Sequence, residues 1–249
     1  MARPQKPQLT EAEKAERRKR NQAILKAKIE QSLDFTKPEN RSWAWRNSML
    51  TDHGFIRLVY FHPMRVSGKL YRASQPAPHH LAKAAKQGIK TIVNLRGARL
   101  CGSYALEVDA CKRLGLALVD FPVNSRDTPR RETLRSAKEM FDTIEYPALM
   151  HCKAGADRVG FMSVLYLHLH EGKPLDEALK QLSWRYGHIA HGKTGMLDHM
   201  FDTYKRYAAE VPIDFMGWVE NVYDPKQVKE SFLSKWWANV LVDKILRRE

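Results

Sequence analysis

Only three cysteines, Cys101, Cys111 and Cys152, occur in the 249 residues. An odd and low count argues against a secreted fold stapled by disulfides. No run of about 18 apolar residues exists, so no segment reads as a membrane-spanning helix. Residues 1–30 are dominated by Lys, Arg, Glu and Gln and lack the apolar stretch of a signal peptide. The expectation is a cytoplasmic protein. Internal repeats are absent, and no His or Cys spacing matches a closed zinc site.

The chain does have the makings of a core and a strong positive charge. Hydrophobic residues make up 43% and charged residues 28%, which excludes wholesale disorder and a fibrous chain. Lys and Arg number 42 against 28 Asp and Glu, a net charge of +14. That excess suits a solvated surface or anionic partners: phosphorylated molecules, nucleic acid or an acidic membrane face.

Residues 10–33 read as a charged helix, with Glu11 and Glu13 in its first turn and cations later. Residues 41–52 are aromatic without a clear period. From residue 55 the pattern predicts strands, FIRLVYF and then KLYRA, separated by a turn at Val66, Ser67 and Gly68. HLAKAAKQG predicts a helix stopped by Gly88, and IKTIVNL a buried strand. A helix over 103–114 ends at Gly115, LALVDFPV is a strand, and 130–144 carries a helical apolar face. A short strand at 148–150 precedes HCKAGADRVG, and helices are expected over 161–170, 175–186 and 194–209.

Strands alternating with helices imply an α/β fold with a mainly parallel central sheet flanked by helices. The expected division is a basic, partly helical extension over 1–53, a catalytic domain over 54–210 and an amphipathic helical extension over 211–249. In that last segment Phe232, Leu233, Trp236, Trp237, Val240, Leu241, Ile245 and Leu246 fall at helical spacing. Such a face docks on its own domain or a second subunit, with an acidic membrane surface as the alternative.

The chemistry concentrates in His151-Cys152-Lys153-Ala154-Gly155-Ala156-Asp157-Arg158, an H-C-x5-R segment between a strand and a helix. A loop at a helix N-terminus turns backbone N–H groups toward a tetrahedral anion. Gly155 permits the tight turn, and the planar fork of Arg158 suits two phosphate oxygens. The same field stabilises negative sulfur on Cys152.

This run, ALMHCKAGADRVG, resembles the active-site signature of cysteine-dependent protein tyrosine and dual-specificity phosphatases, closest to bacterial and atypical members. KLYRASQP followed by GIKTIVNLRG resembles the N-terminal part of the same small phosphatases. The resemblance spans about residues 54–207. It implies a dual-specificity phosphatase-like fold and a two-step reaction in which Cys152 attacks phosphorus and Arg158 with the loop amides of 153–157 holds the charge. An aspartic acid would protonate the leaving oxygen and then activate water. Asp120 and Asp127 are the candidates, and the pattern VNSRDTP favours Asp127. Asp157 reads as structural, His151 as orienting the loop, and Lys153 as added charge for substrates with more than one anionic group. Arg96, at the carboxyl edge of its strand, is either a ligand contact or a surface charge.

Family members usually place Ser or Thr after the Arg, where the hydroxyl helps sulfur leave; here the residue is Val159. A phosphoenzyme that forms but hydrolyses slowly would follow if nothing replaces that hydroxyl. The resemblance therefore implies a phosphomonoesterase needing no cofactor or metal. Its substrate would be a phosphoprotein or another anionic phosphorylated molecule such as a phosphoinositide, lipid phosphate or RNA 5′-phosphate. The rival reading is a slow pseudophosphatase that binds phosphorylated ligands. Nucleic acid as a binding partner is not expected, because no aromatic RNA platform is recognisable. His188, His191, His199 and Asp198 read as hydrogen-bonded or surface groups. Cys101 and Cys111 read as buried thiols, with disulfide protection of Cys152 as an option if either lies near it.

Overall fold

The computed structural model describes residues 11–59, 61, 63–190 and 192–246; the side chains of 11–15, 18, 19, 22, 59, 193, 235 and 237–246 are outside that description. Helices α1 (Glu11–Ser32), α2 (Pro38–Arg46) and α3 (Gly54–Val59) precede the sheet, with one wide turn of helix at Asn47–Thr51. Five strands follow: β1 (Met64–Arg65), β2 (Leu70–Ala73), β3 (Thr91–Asn94), β4 (Ala117–Asp120) and β5 (Ala148–His151). Their order is β1-β2-β5-β3-β4, and only β1 is antiparallel. The expected α/β architecture with a mainly parallel sheet is therefore present.

The sheet forms because β3 and β5 are apolar on both faces, as strands covered twice must be. Val93, Leu95 and Met150 join one cluster with Leu134 and Phe141 of α6 (Arg131–Thr143), Phe161 of α7 (Asp157–Leu165) and Phe201 of α9 (Met196–Glu210). Ile92 and Leu149 point the other way, onto Leu81 of α4 (Pro78–Lys86) and Ala110 of α5 (Gly102–Leu114). Pro78 opens α4, where its missing N–H costs nothing, and Gly115 closes α5 in the left-handed conformation at φ 66°. Phe215 and Trp218 of α10 (Phe215–Asn221) and Val228 of α11 (Pro225–Leu246) also pack into the larger cluster.

Two segments depart from expectation. Where a strand is expected from residue 55, Gly54–Val59 is helix α3, with Phe55, Ile56 and Leu58 exposed. The β-like composition is overridden by the Arg57 guanidinium, which bonds the nearby Asp52 carbonyl (2.5 Å) and carboxylate (2.9 Å) and reaches across the fold to Ser103 Oγ at 3.1 Å. The helix expected over 175–186 is broken after α8 (Leu175–Ala178) into tight turns at Leu179–Gln181 and Trp184–Tyr186. Arg72 takes the Gln181 carbonyl at 2.7 Å, removing it from any helical ladder.

Among the described residues, no helix is long and apolar enough to cross a membrane. In α11, Phe232 is buried beside His199. The side chains of Trp237, Val240, Leu241, Ile245 and Leu246 lie outside the described residues.

Candidate active site

The register of the three central strands brings the chemistry to one edge. Ala73 and Asn94 both pair with His151, so Ser74, Leu95 and Cys152 follow side by side at the carboxyl ends. This is a crevice between parallel strands, where ligands bind in such sheets. Cys152–Ala156 then loops into the first turn of α7. Gly155 has φ +80°, and a Cβ there would come within 2.8 Å of the Ser74 nitrogen. Its own N–H donates to Cys152 Sγ at 3.2 Å. The nucleophile candidate is 3% exposed.

Arg72 fixes the loop from behind. Its Nη2 donates to the carbonyls of Gly155 (2.9 Å) and Ala156 (3.0 Å), while Nη1 holds Gln181 Oε1 at 2.9 Å. The guanidinium lies 4.1 Å from the centre of the Tyr186 ring. Burial pushes its pKa down to about 10, leaving it charged at neutral pH. Such planar, multidentate holding is what an arginine supplies and a lysine does not.

A second buried network runs beneath His151, whose side chain is fully enclosed. His151 Nε2 lies 2.5 Å from Glu107 Oε1, a close contact without hydrogen-bond alignment. Gln75 donates to Glu107 (2.9 Å) and accepts from Arg96 (2.7 Å), and Arg96 grips both oxygens of Asp52 at 2.7 Å. Burial opposes the Asp52 charge, but hydrogen bonds from Arg96 and Ser103 outweigh it and hold the carboxyl well below the usual range. Lys153 Nζ reaches the same carboxylate at 3.4 Å. Arg96 is thus neither a surface charge nor a member of the cleft lining.

The open cleft over Cys152 has a volume of about 520 Å³. Lys153, Ala154, Asp157 and Arg158 line it from the loop, Ser74 from β2, and Ser125 and Arg126 from the loop after β4. His53, Ile56 and Arg57 close one side, and Thr194 contributes at another. Arg158 also donates a long 3.5 Å contact to the Leu95 carbonyl. Asp127 is not among the lining residues: it is half-buried, caps Thr128 N–H at 3.0 Å and pairs with Lys229 of α11 at 2.9 Å. Asp120 is engaged by Asn94 (2.7 Å) and the Tyr104 hydroxyl (2.6 Å), which fix it to the sheet edge. Val159 is wholly buried in the core.

Asp157 turns to His188, whose Nδ1 lies 2.7 Å from it while Nε2 lies 2.7 Å from Asp198. Burial disfavours the imidazolium, but hydrogen bonds to Asp157 and Asp198 overcome it and raise the pKa to about 9. His199 Nε2 bonds to Ser231 at 2.8 Å, and His191 lies outside the described residues. No metal-ligating cluster occurs among the described residues. Cys111 is buried and Cys101 partly so; burial raises both thiols, Cys111 to about 12.

Sequence patterns alone missed Arg72, Gln75, Glu107 and Asp52. YRASQP already contained two of them, and a buried Arg-x-x-Gln at a strand's carboxyl end was the available signal. Asp52 and Glu107 carried none, because each meets its partners only through the fold.

The loop sets Cys152 ahead of the N-terminus of α7, with Arg158 in the first turn of that helix. A family model described as a DSP-PTPase phosphatase fused to NAD+ kinase matches residues 63–194, and the chain belongs to that family. No curated protein matches. Among solved structures the chain is similar to Tk-PTP in its active form, at 21% identity and TM-score 0.44, over 54% of this chain and 92% of that one. P. aeruginosa TpbA gives 19% and 0.43 over 68% and 89%, and human DUSP28 gives 17% and 0.41 over 58% and 95%. Family membership supports phosphatase activity.

Proposed function

We propose that the protein is a cysteine-dependent phosphomonoesterase working through a cysteinyl-phosphate on Cys152. The observation that carries this is the loop itself: Cys152 Sγ accepts the Gly155 N–H while Arg72 holds the Gly155 and Ala156 carbonyls from behind. A preorganised loop needs little rearrangement as charge spreads over the equatorial oxygens, so its dipoles act on the transition state. In the first step Cys152 sulfur bonds to phosphorus, the ester P–O bond breaks, and Asp127 gives the leaving oxygen a proton. In the second, water attacks, Asp127 takes its proton and the P–S bond breaks. Arg158 holds phosphate oxygens throughout, together with the amides of Lys153, Ala154, Gly155, Ala156 and Asp157. His151 and Asp157 act as supports, through Glu107 and His188.

Arg126, Lys153 and Arg158 around one cleft favour an anionic substrate: a phosphoprotein or another phosphorylated molecule carrying further negative charge. The catalytic unit in this reading is residues 54–210, with 1–53 and 211–249 as extensions; Asp52 and Lys229 reach its machinery from outside. The test is hydrolysis of a small aryl phosphate in chelator, with Cys152→Ser, Arg158→Ala and Asp127→Asn in parallel. Sustained turnover abolished by the first two supports the reading. Hydrolysis that survives Cys152→Ser refutes it.

A further inference from the structure

Breaking the P–S bond leaves an electron pair on sulfur, and a hydrogen-bond donor at that sulfur lowers the barrier. Val159, turned into the core, offers none. The cleft nevertheless holds a hydroxyl with nothing to do. Ser74 is 8% exposed and lines the cleft beside Cys152, yet its Oγ makes no hydrogen bond. Buried hydroxyls are usually hydrogen-bonded, and this unpaired one lines the cleft.

Its placement supplies a role. β2 and β5 run parallel with Ala73 opposite His151, so Ser74 and Cys152 are the next pair in register as the strands leave the sheet. Register neighbours on parallel strands point to the same side. The Ser74 backbone also abuts the loop at Gly155, the residue whose N–H already meets Cys152 Sγ. Arg72, two residues earlier, ties the same strand to the same loop. The hydroxyl is therefore carried on a rigid element, and rotation about one bond is its remaining freedom.

We propose that Ser74 is a catalytic residue of the second half-reaction, its hydroxyl donating a hydrogen bond to the Cys152 sulfur as the phosphoenzyme is hydrolysed. The proposal rests on the cysteinyl-phosphate reading above. Water oxygen bonds to phosphorus, its proton passes to Asp127, and the P–S electron pair returns to Cys152 as thiolate. Ser74 keeps its proton and only shares it with the sulfur.

Two rate constants separate this role from a structural one. Phosphorylation of Cys152 governs kcat/KM, while phosphoenzyme hydrolysis governs kcat when it is slow. With a nitrophenyl phosphate, Ser74→Ala is expected to lower kcat about 10- to 100-fold, the worth of one hydrogen bond to a charged group. kcat/KM is expected to stay within about threefold, and a stoichiometric burst of nitrophenol should appear, with phosphate trapped on Cys152 by acid quench. The change removes a single heavy atom, and unchanged urea unfolding would show that the fold is kept. A phosphoenzyme that decays equally fast in both proteins overturns the role of Ser74 and leaves the phosphatase reading intact. Equal losses in kcat and kcat/KM also overturn it, since the hydroxyl would then serve the first step or the fold. Failure to trap phosphate on Cys152 in either protein under rapid quench, with no burst, overturns both readings.

Discussion

The loop that carries Cys152 and the loop that carries Asp127 are built to different standards. The first is overdetermined: Arg72 clamps two of its carbonyls, Gly155 fits only as glycine, and His188 ties Asp157 to Asp198. The second is exposed over Asn124 and Arg126, and its carboxylate is spent on a lysine from the C-terminal extension. The difference teaches where rigidity is needed. In the proposed reaction charge develops on phosphate in a fixed place, which a preformed cradle suits, whereas a proton donor has only to arrive once the ester is seated. In this account Asp127 must leave Lys229 to act.

Breaking the rigid side has the largest effect. Cys152→Ser should reduce turnover to background, and Arg158→Ala should cost about a thousandfold in kcat/KM, both read with an aryl phosphate. Arg72→Met strands the carbonyls of Gly155, Ala156 and Gln181 in the interior. A stability loss of about 3 kcal/mol is expected in urea unfolding, with activity falling alongside. A variant with full stability and activity would show that the loop holds its own shape.

The exposed side should respond through leaving-group chemistry. Asp127→Asn is expected to lower kcat/KM about a hundredfold for phenyl phosphate and only severalfold for nitrophenyl phosphate, whose leaving oxygen needs no proton. Equal losses with both esters would remove Asp127 from the acid role. The tie at His188 predicts a pH effect. Its folded pKa, about 9, lies above the ordinary value of 6.5, so the stabilisation is full below about pH 6.5 and is lost as pH rises through 9. Wild type should lose on the order of 2 kcal/mol over that window in urea unfolding, and His188→Gln should flatten it. The smallest effect belongs to Lys229→Met, which frees Asp127 and should raise kcat/KM by about threefold or less.

The H-C-x5-R loop and the sheet were legible because their signals are local. Short continuous apolar runs mark buried strands, and H-C-x5-R places cysteine, glycine and arginine around one loop. Helix α2 and the turn after it were hidden because their buried side is Ala44, Ser48 and Asp52, four residues apart but too small or polar to register as a stripe. Their packing depends on close approach instead: a Cβ on Gly102 would lie 1.9 Å from the Ala44 carbonyl. The break in the helix expected over 175–186 comes from Arg72, over a hundred residues away in sequence. Asp52, Glu107 and the Asp127–Lys229 pair are likewise products of tertiary contact, which no window along the chain can reveal.

The most direct measurement is rapid acid quench of the wild-type protein with an aryl phosphate, followed by mass analysis of the peptide containing Cys152. Phosphate is expected on Cys152 within the first turnover, decaying at a rate equal to or faster than kcat, with no phosphorylated peptide in Cys152→Ser. Multiple turnovers with Cys152 never phosphorylated, or hydrolysis undiminished in Cys152→Ser, would contradict it.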